Sequence, residues 1–145
     1  MAKLTRSVTI NAPVDKVFDF AMDVGKFWTS FPEVAVRDVQ LKPEGVGTSA
    51  RIYSFMLGLH VEGVIEYTEV VRNKRIGAKV TFGPETPLWT FTFEPLDGGT
   101  TLTAEGEWHV TIPGVGGPLE DWAAKSHREF LERGLNSMKA AVEAV

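Results

Sequence analysis

The side chains that could do chemistry are scattered along the chain. His60, His109 and His127 fall on different predicted elements with no acidic partner in register, so their spacing does not build a metal site. Ser7, Ser30, Ser49, Ser54, Ser126 and Ser137 sit in no strand-to-helix nucleophile turn. Cysteine is absent, which removes thiol nucleophiles, thiolate metal ligands and disulfides. Glu62, Glu66 and Glu69 have the composition of a general acid–base set, but positions 62 and 66 share a strand face that reads as solvent. Gly45-x-Gly47 precedes a strand rather than a helix, so it is no dinucleotide fingerprint. Gly114-x-Gly116-Gly117 does precede a helix, yet it lacks a Lys-Ser/Thr pair and a preceding parallel strand. It reads as a flexible connection. No metal or cofactor is expected.

His127 is the exception. Its helical-wheel position lies between Ala123 and Phe130, on an apolar face. A buried imidazole needs a hydrogen-bond partner and titrates near neutral pH. The residue is therefore a candidate polar anchor, or a candidate catalytic general acid–base, in an apolar cavity. The plainer alternative is a core or rim histidine satisfied by a backbone carbonyl or water.

The elements that position these residues follow from periodicity. Leu4, Val8 and Ile10 alternate with Thr5, Ser7 and Thr9, a half-buried strand whose apolar face is interrupted by Arg6. Asn11-Ala12-Pro13 changes the period. Asn11 is a capping residue type, Pro13 suits a first turn, and Asp15 suits the positive end of the dipole. A short amphipathic helix carrying Val14, Val17, Phe18 and Ala21 then runs to about Asp23, Gly25 interrupts, and Lys26 to Phe31 forms a second short helix stopped by Pro32. Strands are predicted at 34–41, 48–57, 59–71, 76–82, 88–96 and 100–112, with a turn at Arg72-Asn73-Lys74 and a hairpin at Asp97-Gly98-Gly99. Links this short make neighbouring strands antiparallel. After the loop from Pro113 to Pro118, the helical period holds to the end of the chain, about seven turns. Leu119, Ala123, Ser126, His127, Phe130, Gly134, Met138, Ala141 and Val145 share one side, with Glu120 and Asp121 in the first turn.

The order is strand, two short helices, six strands, long helix: an α+β domain covering residues 1–145. Its sheet of six or seven antiparallel strands should curl and hold the helix in its concave face. Alternation assigns the inward sets. They are Leu102, Ala104, Gly106, Trp108 and Val110 on the last strand, and Trp89, Phe91 and Phe93 before it. Ala78, Val80 and Phe82 face inward on the next, and Val61, Gly63, Ile65 and Tyr67 on the long strand. Strand 48–57 is ambiguous: Arg51, Tyr53 and Phe55 oppose Ile52, Ser54 and Met56. The small residues at 104 and 106 beside Trp108 leave space. Gly134 either lets the helix approach the sheet closely or leaves room for a ligand.

Candidate ligand-binding residues follow from these faces. The strands contribute Tyr53, Tyr67, Trp89, Phe91 and Trp108. The long helix contributes Ala123, His127, Phe130, Gly134 and Met138, and the second short helix Trp28 and Phe31. Ordinary packing is the alternative for Trp28 and Phe31, and a rim position for each tyrosine. Arg6 and Arg51 would pair an acidic ligand if they faced inward.

Composition narrows the partners. The 145 residues carry a net charge of −4, which argues against the clustered cations that nucleic acid requires. Apolar residues make up 43% and aromatics 10%, ordinary for a globular core and suited to walling a cavity. No apolar block has the length of a bilayer span or a signal peptide, so the sequence reads as cytoplasmic, without integral membrane association. A monomer and a homodimer both remain compatible with it.

Local wording adds a resemblance. Val8-Thr9-Ile10-Asn11-Ala12-Pro13-Val14-Asp15-Lys16-Val17-Phe18-Asp19-Phe20 and Phe27-Trp28 to Phe31-Pro32-Glu33-Val34 resemble the opening of the START-like, birch-pollen-allergen-like (SRPBCC) superfamily. Glu44-Gly45-Val46-Gly47-Thr48 and Glu62 to Val70 resemble its third and fourth strands. Closest in style are bacterial polyketide cyclase/dehydrase-like and carbon monoxide dehydrogenase subunit-like members. The resemblance implies the helix-grip fold and a hydrophobic or amphipathic small-molecule partner of lipid, polyketide or aromatic type. It equally permits a cofactor-independent cyclase or dehydratase, and a protein-interaction module such as a chaperone activator. None of these words is a catalytic motif, and fold alone does not assign activity.

Overall fold

The protein was analysed as a computed structural model that describes residues 2–56, 59–81, 87–108 and 118–144, without the side chains of 2, 55, 56, 59, 108 and 118–127. Its elements are β1 (Ala2–Ile10), α1 (Val14–Met22), α2 (Val24–Thr29), β2 (Val34–Gln40), β3 (Ser49–Met56), β4 (Leu59–Val71), β5 (Arg75–Thr81), β6 (Leu88–Leu96), β7 (Gly99–Trp108) and α3 (Pro118–Glu143). The seven strands form one sheet in the order β1-β7-β6-β5-β4-β3-β2, every neighbouring pair antiparallel. This is the helix-grip arrangement. The strand expected at 100–112 is described to Trp108, and the remainder of that expectation lies outside the described residues.

The turns are made by residues that tolerate positive φ. Asp97 and Gly98 (φ 48° and 84°) close the β6–β7 hairpin, and Asn73 (φ 58°) lies in the β4–β5 turn. Two expectations for the short helices need correction. Asn11 does not cap α1: Pro13 takes the cap position, and the Asn11 backbone N–H instead donates to Glu143 Oε1 of α3 at 2.8 Å. Gly25 does not interrupt the helical region. It lies inside α2, which starts earlier than Lys26 because the Asp23 carboxylate caps it by accepting the Lys26 N–H at 3.1 Å.

The core lies between the sheet's inner face and the helices. Ile65, Tyr67, Ile76, Phe91, Leu102 and Ala104 have no exposed surface, matching the alternation on four strands. On α3 the buried stripe is Leu131, Gly134, Leu135, Met138 and Val142, with Phe130 and Ala141 half-buried. The predicted stripe contained Gly134 and Met138 but missed Leu131, Leu135 and Val142. An apolar face of this width admits more than one centre line. Arg6, the interruption in β1, donates from Nε to Glu132 Oε1 of α3 at 2.9 Å, so a polar clasp replaces the expected apolar contact.

Candidate functional site

The interior is walled by aromatic side chains carried on α2, β6 and α3. Phe27 meets Phe91 edge-on, with ring centroids 4.8 Å apart. Trp28 stacks on Phe31 at 5.3 Å, and Phe31 stacks in turn on Phe130 of α3 at 5.2 Å and 19°. Trp89 lies parallel to Phe91 at 6.4 Å. Offset-stacked and edge-to-face contacts of this kind favour a rigid wall.

Two glycines make the arrangement possible. A Cβ on Gly134 would fall 2.1 Å from Phe31 Cδ1. The space left by Gly134 is therefore filled by Phe31, and of the two readings offered by the sequence, close packing is the one realised. A Cβ on Gly106 would fall 2.5 Å from Trp89 Cζ3, so the indole lies flat over the backbone of β7. The expectation that the small residues of β7 leave free space is corrected at position 106, which Trp89 covers.

The candidate residues separate by burial. Tyr67, Phe91 and Met138 have no exposed surface and form the floor of the interior, where a ligand reaches them only if packed neighbours move. Trp28 (5% exposed) and Phe31 (4%) are nearly closed over, and Gly134 is buried. Trp89 and Phe130 keep half-buried surface while packing against the core. The side chains of Trp108, Ala123 and His127 lie outside the described residues, so the acid–base role considered for His127 has no geometry here. Tyr53 is corrected. It faces the opposite side of β3 from the buried Ala50, Ile52 and Ser54, beside Arg51, Glu62 and Val64 in a shallow outer depression of about 180 Å³. Its hydroxyl does not reach the interior. Glu62 and Glu66 are exposed, as expected.

Three polar groups sit within this apolar interior. The Tyr67 hydroxyl donates to the Ala21 carbonyl at 2.6 Å, which ties β4 to the end of α1. Burial raises its pKa well above the ordinary value. The neighbouring Trp28 indole opposes that rise, and the Asp23 charge adds to it. The Trp28 N–H lies beside the hydroxyl without meeting hydrogen-bond geometry, and Trp28 Nε1 has no partner among the described residues. Ser54 Oγ is the third. It is buried and also lacks a partner, and sequence patterning passed over it because serine on an ambiguous strand carries no signal.

A seven-stranded antiparallel sheet gripping one long helix, with an aromatic interior and two short helices closing one side, defines a START-like domain of the SRPBCC superfamily. The sequence profile described as "Polyketide cyclase / dehydrase and lipid transport" matches residues 1–143, and the chain belongs to that family. No curated protein matches the chain. Among solved structures it is similar to a protein of Thermus thermophilus (TM-score 0.85, 24% identity, 99% of this chain and 98% of that one covered). A START superfamily protein of Mycobacterium smegmatis is similar at TM-score 0.79 and 18% identity, with 98% and 97% covered. The Zhui aromatase/cyclase of Streptomyces sp. R1128 is similar at TM-score 0.71 and 18% identity, with 98% and 93% covered. At these identities the likeness shows the shared fold alone.

Proposed function

We propose that this domain binds a hydrophobic or amphipathic small molecule between the sheet and α3. The observation that carries the reading is the pair Trp89 and Phe130. Both belong to the interior aromatic wall, and both retain surface that the protein itself does not cover. A flat apolar ligand laid against them would gain about 25 cal/mol for each Å² it buries. The family's description, which couples cyclase/dehydrase and lipid transport, supports a ligand of lipid, polyketide or aromatic type.

The test is native mass spectrometry of freshly purified protein, followed by denaturing extraction. A retained hydrophobic compound, or a rise in Tm with members of an apolar library, is the expected result. An empty protein whose Tm no apolar compound raises would remove the proposal.

The same family description supports a second reading, a cofactor-independent cyclase or dehydratase. In it the interior folds a flexible substrate into a reactive conformer and His127 transfers the proton. On that reading His127→Ala lowers kcat by about 10²–10⁴-fold with little change in substrate binding. A carrier shows no turnover to lose.

A further inference from the structure

Ser54 occupies a particular place on the inner face. Across the sheet it pairs with Val34 of β2 and Val61 of β4. The neighbouring rows on that face close tightly, with Ile65 and Tyr67 fully buried on β4 and Ala50 and Ile52 buried on β3. At the Ser54 row the packing loosens. Val34 and Val61 are both half-buried, and Val61 is not among the residues packed against the core. Ser54 itself is 5% exposed, and its hydroxyl has no partner among the described residues.

A buried hydroxyl without a partner costs free energy that a strand position has no reason to accept, since alanine or valine would fill it without that loss. Trp28 Nε1 is the other unpartnered interior group, but Tyr67 lies beside it; Ser54 has no such neighbour. We propose that Ser54 is a polar subsite that hydrogen-bonds a neutral oxygen function, a hydroxyl or carbonyl, of the molecule held against the aromatic wall. The inference rests on the binding reading above and names its ligand's chemical class more narrowly.

The neutrality follows from charge. Among the described inward-facing residues the charged side chain is Arg6, and Glu132 neutralises it at 2.9 Å. A carboxylate placed near Ser54 would find no compensating cation among the described residues and would lose its hydration. A serine hydroxyl both donates and accepts, so it serves a phenol, an alcohol or a ketone alike.

The test compares two neutral probes of similar shape, 2-naphthol and 2-methylnaphthalene, by calorimetric titration into the intact protein and its variants. Wild type should bind 2-naphthol more tightly, by roughly three- to tenfold for one hydrogen bond. Ser54→Ala should abolish that preference while leaving 2-methylnaphthalene binding unchanged. Ser54→Thr, which keeps the hydroxyl, should retain the preference. Ser54→Ala should also fold at least as stably as wild type, because it removes an unsatisfied group. If both probes bind wild type equally, or Ser54→Ala keeps the preference, the subsite is overturned and the apolar binding reading stands. If neither probe binds wild type, the subsite is overturned together with the reading on which it rests.

Discussion

Gly134 of α3 and Phe31 form a fitted pair: the ring occupies the volume that any other residue's Cβ would need, with Phe31 Cδ1 only 2.1 Å from that position. Sequence alone makes Gly134 look like a weak point in a helix, worth about 1 kcal/mol against alanine. The structure reverses that sign. Overpacking a closed core costs about 1–3 kcal/mol, because Phe31 is also stacked on Trp28 and Phe130 and cannot swing freely. Gly134→Ala should therefore lower stability in urea denaturation despite its better helix propensity. Combining it with Phe31→Leu should give a loss smaller than the sum of the two single losses. A Gly134→Ala variant more stable than wild type would show that the ring and the helix are not fitted.

Glu143 ties the end of α3 to the start of the chain. Its Oε1 accepts the Asn11 N–H at 2.8 Å and the Lys139 ammonium at 2.6 Å. The Lys139 hydrogen bond, and then the Asn11 N–H, lower the Glu143 pKa below its ordinary value. A carboxyl depressed in the folded state adds stability above its unfolded pKa, and that stability is lost as pH falls through the folded value. The Tm difference between wild type and Glu143→Gln should thus be present at neutral pH. It should shrink on acidification below the ordinary carboxylate range. A difference constant with pH would assign the effect to something other than this charge.

Tyr67 should show the opposite end of the titration. Its folded pKa is raised, so its protonated form contributes stability that is complete below the ordinary phenol value of 10.0 and lost as pH climbs above it. Tyr67→Phe removes the hydrogen bond to the Ala21 carbonyl and should cost about 0.5–1.5 kcal/mol at neutral pH. The gap between the two proteins should narrow in alkaline solution, as followed by circular dichroism during urea unfolding. A gap that widened with pH would mean that the buried phenol ionises without penalty.

Much of this architecture was legible because the inward faces of β4, β6 and β7 alternate cleanly, with Ile65 and Tyr67, Phe91 and Phe93, and Leu102 and Ala104 on the buried side. β3 was not legible. Both its faces carry an aromatic and a polar residue, and the choice is made by its pairing with β4, where Ile52 meets Gly63 and Ser54 meets Val61. That pairing sends Tyr53 outward and brings Ser54 in. The fit of Phe31 to Gly134 and of Trp89 to Gly106 joins residues on different elements, so no local period could announce either contact. Asn11 misled for a related reason: its residue type favours a cap, but a partner at the far end of the chain takes its N–H.

The central claim is that an apolar molecule lies inside, against Trp89 and Phe130. Intermolecular nuclear Overhauser effects from bound 2-methylnaphthalene test it most directly. The account predicts contacts from the probe to the ring protons of Trp89 and Phe130. Contacts confined to outer-face residues such as Val64 and Leu88, which are 47% and 50% exposed, would contradict it.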